Sequence, residues 1–141
     1  MYVSDYAVPY GTASRAVPSP VDALLMAKQG LSYKHFTLIS SGLPLSASEW
    51  AEYLHLSERT LLRYQKENKS FEQLYAERIL QIQFLFQRGA EVFGSKEGFH
   101  KWLHLESLAL GGARPKDLLS SVFGIQLIEA ELGRIEHGVF S

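Results

Sequence analysis

From Ser19 onward the hydrophobic positions of this chain recur at helical spacing. "SPVDALLMAKQG" sets a capping Ser19 and Pro20 ahead of an apolar face, Val21, Leu24 and Leu25, and stops at Gly30. "SYKHFTLISSG" repeats the plan, with Ser32 as cap, Phe36 and Ile39 inward and Gly42 closing. "SASEWAEYL" holds Ser46 and Glu49 at capping-box spacing, and "SERTLLRYQKE" starts on Ser57. A longer helix is predicted from about Phe71 to Gly89, because Phe71, Leu74, Tyr75, Ile79, Ile82, Leu85 and Phe86 form one stripe. Leu80 and Phe84 fall off that stripe, which predicts burial on a second side, between two halves of the chain or at a homodimer seam. "SKEGFHKWL", "RPKDLLSS" and "GIQLIEAELGRIEHG" read as three more helices with Gly and Pro at the joints. No run alternates convincingly enough to be a strand. The expected class is all-α, in two subdomains divided near residue 90.

Residues 1–19 mix Tyr, Ser, Gly and Pro without a period, which predicts a mobile tail. Tyr2, Tyr6 and Tyr10 within it also suit an arm laid on a neighbour.

Composition narrows the chemistry. With 141 residues, 46% of them hydrophobic, the chain can bury a real core. Its 14 Lys+Arg against 15 Asp+Glu leave a formal charge of -1, so any nucleic-acid contact has to come from a local basic face. The absence of cysteine removes thiol nucleophiles, disulfides and cysteine-ligated metals, and suits a reducing compartment. No apolar run approaches the ~18 residues of a membrane span, and the N-terminus lacks a secretory layout. The expectation is a soluble cytoplasmic protein with no membrane contact.

The best-specified motif is "ASEWAEYLHLSERTLLRY", residues 47–64. A helix-turn-helix needs a small residue where its helices cross, apolar inward faces, a short bend and a cap on the second helix. Ala51 is the small residue, Leu54, Leu56, Leu61 and Tyr64 stand at inward spacings, and Ser57 is the cap. Turning the second helix by about 100° per residue groups Arg59, Arg63 and Lys66 on its outer side. Ser57, Glu58, Arg59 and Thr60 at its start are placed to reach base edges, while Arg63 and Lys66 suit phosphates. His55 occupies the bend position usually given to glycine, where a left-handed backbone costs a side chain of order 1 kcal/mol. The alternative is an ordinary αα-corner with a solvated outer face.

Other chemistry is thinly represented. His100 and His104 share a helix face, but no third metal ligand stands nearby and Lys101 fills the place of a zinc protease's glutamate. Glu131 and Arg134 read as an i, i+3 surface pair. No nucleophile–base constellation is evident, and neither cofactor nor metal is expected. The loop "GGARP" offers Gly111, Gly112 and Arg114 ahead of Pro115, an arrangement open to two readings: an anion cradle at a helix start, or a turn in a surface that grips another protein.

The stretch "WLHLESLALGGARPKDLLSSVFGIQLIEAELGRIEHGVF" resembles the C-terminal toxin-binding region of the Xre/MbcA/ParS antitoxin family. The resemblance is carried by Trp102, Ala109-Leu110-Gly111-Gly112, Pro115 with Asp117-Leu118-Leu119, Gly124, and Leu132-Gly133-Arg134-Ile135-Glu136-His137-Gly138. Upstream, "LSERTLLRYQ" is similar to the family's helix-turn-helix segment. The chain departs at "HLES" before Leu108, where members often carry a short Asn/Pro turn. The resemblance implies a type II antitoxin, not an enzyme. Residues 20–89 would bind operator DNA as a homodimer and repress the operon, and residues 90–141 would block a RES-domain toxin that consumes NAD. It also turns "ALGGARPKDLL" into a scaffold turn of the toxin-docking surface, with Gly111, Gly112, Arg114, Arg134 and His137 as contact candidates. Pro115 would start a helix bearing Leu118 and Leu119, and the last helix would pack Ile128, Leu132 and Ile135 against it. That bundle would hold out Val139, Phe140 and the carboxylate of Ser141 to enter the toxin's pocket. A stand-alone dimeric helix-turn-helix regulator is the alternative.

Overall fold

The computed structural model describes residues 16–138. The expected arm with Tyr2, Tyr6 and Tyr10, and the terminal Val139, Phe140 and Ser141, lie outside the described residues. Seven α-helices carry the described chain: α1 (Pro20–Gln29), α2 (Tyr33–Ser41), α3 (Ala47–Leu54), α4 (Glu58–Glu67), α5 (Gln73–Phe93), α6 (Lys96–Leu103) and α7 (Val122–Gly138). Two 3₁₀ turns, Leu108–Leu110 and Pro115–Leu118, stand between α6 and α7. The all-α class expected from periodicity is the one observed. Two compact units divide at Gln83/Phe84, earlier than the division near residue 90 expected from the sequence, so α5 contributes its first half to one unit and its second half to the other.

In the first unit each short helix begins on a serine whose hydroxyl accepts a backbone N–H three residues on. Ser19, Ser32, Ser46 and Ser57 receive Asp22, His35, Glu49 and Thr60 respectively, at 3.0–3.2 Å. At α3 the box is complete, the Glu49 carboxylate accepting from the Ser46 N–H at 2.9 Å. The core is aromatic: the Phe36 ring lies 5.1 Å from both Trp50 and Phe71, and Tyr64 stacks on Phe71 at 4.9 Å. Phe71 is not helical as expected. It pairs with Leu31 in an isolated antiparallel bridge, donating to the Leu31 carbonyl at 2.7 Å and accepting from the Leu31 N–H at 3.0 Å. Arg78, on α5, donates to the Tyr53 carbonyl in the last turn of α3 at 3.2 Å, where a cation meets the negative end of that helix.

Three packing expectations change. The buried face of α1 is Ala23, Met26 and Ala27, while Val21 and Leu24 are exposed, because small residues let this helix approach its neighbours. Leu74 is 80% exposed at the first turn of α5. Leu80, off the expected stripe, is buried within the chain itself and needs no second subunit.

The second unit gathers Phe86, Phe93, Phe99 and Trp102, with ring centroids 4.9 Å apart for Phe86–Phe99 and 5.4 Å for Phe93–Trp102. "RPKDLLSS" forms only the four-residue 3₁₀ turn Pro115–Leu118 and no α-helix, and this turn packs on both α6 and α7. The close approach is at Gly124, where a Cβ would fall 2.0 Å from the Leu118 carbonyl oxygen. α7 starts two residues before Gly124, at Val122, with the Ser121 hydroxyl accepting from the Gly124 N–H at 3.3 Å. Ile128 and Leu132 are buried as expected, with Leu119 beside them in the core, and Ile135 is half-buried.

Candidate nucleic-acid interface and partner-binding face

The bend between α3 and α4 is tight. His55 sits in the left-handed region at φ 59°, ψ 38°, and the next N–H, of Leu56, donates to the Ala51 carbonyl at 2.9 Å. Ala51, Leu54, Leu61 and Tyr64 are buried, and Leu56 is half-buried, so the inward faces are those the motif requires. The left-handed residue turns the chain sharply enough for α4 to present one whole side to solvent.

On that side Arg59, Arg63 and Lys66 are exposed and line one open depression of about 470 Å³ together with Thr60, Leu62 and Glu67. A second hollow of about 340 Å³ runs along the other flank, lined by Tyr33, Ala47, Glu58, Arg59, Leu61, Leu62 and Gln65. Ser57 and Thr60 are largely occupied with each other: the Ser57 hydroxyl accepts the Thr60 N–H and donates to the Thr60 hydroxyl at 2.9 Å. Of the six residues picked for nucleic-acid contact, the three cations therefore form the free edge and the two hydroxyls form the cap beneath it. Glu58 stands at the tip. Leu62, which periodicity did not single out, is 50% exposed among the cations.

In the second unit the loop geometry bears on the anion-cradle reading of "GGARP". Gly111 and Gly112 both take positive φ, 73° and 85°, which only glycine adopts freely. Their N–H groups point into the turn, donating to the carbonyls of Leu108 at 3.1 Å and Ser107 at 2.8 Å. Those amides are spent on the chain and cannot cradle an anion as well. Arg114 lies 3.4 Å from the Asp117 carboxylate, with Lys116 3.2 Å from its other oxygen. Burial works to raise the Asp117 pKa, but the hydrogen bonds and charges of Lys116 and Arg114 outweigh it and hold the carboxyl below its usual value.

The last helix carries its charges in pairs too. Arg134 bonds Glu131 at 2.8 Å, the i, i+3 contact expected. Arg88 on α5 grips Glu136 at 2.5 Å, and His137 lies 3.8 Å from the same carboxylate. The hydrogen bond from Arg88 is the main cause holding the Glu136 carboxyl below its usual value. This ion pair ties the final turn of α7 to the neighbouring helix. On the outward side of α7, Phe123, Leu127, Ala130, Arg134 and His137 are all exposed, and their 4-3-4-3 spacing puts them on one face. Phe123 is 76% and Leu127 51% exposed. Neither stood out in the sequence, because solvent exposure of an apolar residue depends on what the rest of the domain leaves uncovered.

Residues 22–83 match the antitoxin Xre-like helix-turn-helix domain, and residues 88–138 match the antitoxin Xre/MbcA/ParS C-terminal toxin-binding domain. The chain belongs to the Xre/MbcA/ParS antitoxin family. One protein similar to this antitoxin is described as a Prs ADP-ribosylating antitoxin, from Sphingobium sp. (strain YBL2). The two are 25% identical over 132 residues, which cover 87% of this chain and 83% of that one. The antitoxin thus pairs a DNA-binding type of domain with a toxin-binding one, in that order, and its partners are DNA and a toxin. No helix among the described residues is long and apolar enough to cross a membrane.

Proposed function

We propose that this antitoxin is a non-enzymatic cytoplasmic protein that occludes the NAD-binding cavity of a RES-domain toxin and represses its own operon as a homodimer. The observation that carries the reading is the succession of the two family domains along one chain. The similar protein's name adds ADP-ribosylation, chemistry whose donor is NAD.

The toxin meets the outer face of α7 and the adjoining turn. Phe123 and Leu127 supply apolar area there, and Arg114, Arg134 and His137 supply polar contacts from side chains already steadied by Asp117, Glu131 and Glu136. Gly111 and Gly112 shape the turn. Beyond α7, Val139, Phe140 and Ser141 enter the toxin's NAD-binding cavity. In the other domain, Arg59 with Ser57, Glu58 and Thr60 faces base edges, and Arg63 and Lys66 face phosphates. Leu74, exposed on α5, is the apolar residue a homodimer seam would use.

Co-expression with the toxin encoded beside it tests the proposal. Deleting residues 138–141, or placing glutamate at both Phe123 and Leu127, is expected to release toxicity and NAD loss while circular dichroism stays helical. Full protection by both variants would refute the toxin-blocking surface.

A further inference from the structure

We infer that Leu62 reads the 5-methyl group of a thymine in the operator, which makes it a specificity-determining residue of α4. The inference rests on the operator-binding reading above and adds to it a residue and the chemical group that residue recognises.

α4 has three large apolar side chains; Leu61 and Tyr64 are buried in the first unit, and Leu62 is half exposed. A single exposed leucine on a protein surface is ordinary. This one is distinguished by its company. Arg59 lies one turn before it and Lys66 one turn after it on the same flank, with Arg63 adjacent. Leu62 lines both hollows that flank the helix, the one with Arg59, Arg63 and Lys66 and the one with Glu58 and Gln65. It therefore forms the ridge between them, and anything that covers the cations covers it.

That constraint selects the partner. An apolar protein surface laid on Leu62 would strip water from two or three cations without neutralising them. A second copy docking by this same face would set like charges against each other. A DNA major groove supplies phosphates for the cations, and the one apolar group on its base edges is the thymine methyl. Leu62 has no polar atom to offer a base and a branched end to cover that methyl. The cations set affinity, and the leucine sorts sequences.

The probe is the DNA immediately upstream of the antitoxin's own reading frame, bound by the full-length protein alone and with its toxin. Each thymine in the protected region is replaced singly by deoxyuridine, which removes the methyl and keeps every hydrogen-bonding group. At the contacted thymine, wild-type affinity is expected to fall about fourfold, the worth of one buried methyl. Leu62→Ala should lose that sensitivity, so that the same deoxyuridine changes its affinity no more than thymines elsewhere in the site. The salt dependence of Leu62→Ala should match wild type, whereas Arg63→Ala should lose about one unit of slope. Because Leu62 is outside the core, the variant keeps its fold. A flat deoxyuridine scan on bound DNA, or an unchanged sensitivity in Leu62→Ala, overturns the inference while operator binding stands. Failure to bind the fragment at all overturns operator binding and this inference together.

Discussion

Gly124→Ala and Gly133→Ala are the same chemical change in the same helix, and they should move stability in opposite directions. At Gly133 a Cβ would meet nothing within 4 Å, so the only effect is on the backbone. Alanine in a helix interior is favoured over glycine by about 1 kcal/mol, and Gly133→Ala should stabilise by up to that amount. At Gly124 the Cβ would stand 2.0 Å from the Leu118 carbonyl oxygen and 2.8 Å from both the carbonyl carbon and Cβ of Leu118. A backbone carbonyl held in a short 3₁₀ turn cannot swing aside as a side-chain tip can, so the turn and α7 have to separate. Overpacking of this kind costs roughly 1–3 kcal/mol, and contact with backbone places it near the top of that range. Gly124 also sits in the first turn of α7, where the propensity gain is smallest, so a net loss of about 2–3 kcal/mol is expected. For a unit of this size each kcal/mol moves the melting temperature by about 4–8 °C. Thermal and urea melts by far-UV circular dichroism, with toxin co-purification as the functional readout, should show Gly133→Ala above wild type and Gly124→Ala well below it. If both variants shift the same way, the close packing of α7 on the Pro115–Leu118 turn is not what holds this unit together.

Further outcomes follow from the same contacts. Arg59→Ala with Arg63→Ala should weaken operator binding sharply and lower its salt slope by about one to two units; gel shifts at several salt concentrations check it. The Arg88–Glu136 pair lowers the folded pKa of Glu136, so its contribution is complete above the unfolded carboxylate value of about 4.3 and disappears as pH falls through the lower folded value. The stability gap between wild type and Glu136→Gln should therefore be constant near neutrality and close on acidification, as urea melts across pH would show. Ser46→Ala removes the acceptor of the capping box and should cost about 1 kcal/mol, read from the same melts.

Local signals were legible in the sequence, and long-range ones were not. Ser19, Ser32, Ser46 and Ser57 cap the helices assigned to them because a cap is a contact between residues three apart. The bend at His55 is similarly local, and the left-handed backbone follows from the need to turn between two fixed inward faces. Burial depends on partners distant in sequence. Val21 and Leu24 fit an apolar face on their own helix, yet Ala23 and Ala27 are what the neighbours approach. Phe71 continues the stripe of α5 on paper, but its backbone is claimed by Leu31. "RPKDLLSS" has a helical pattern, but Gly124 draws α7 onto Leu118 and leaves room for a single 3₁₀ turn. At the candidate surfaces the charged residues were legible, since charge marks a solvated face. Leu62, Phe123 and Leu127 were not, because an apolar residue reads as core until the fold leaves it outside.

The bridge between Leu31 and Phe71 sets an order of events during synthesis. The rings that Tyr33, Phe36 and Tyr64 offer are held by a residue that emerges from the ribosome only after the whole helix-turn-helix has been made. Until then the helices of the nascent segment, each 8–10 residues long, have no central ring to pack on, and helices that short are marginal in water by themselves. Whatever shortens or stalls translation before Phe71 yields a fragment that carries Arg59, Arg63 and Lys66 yet lacks the ring against which Phe36 and Tyr64 pack.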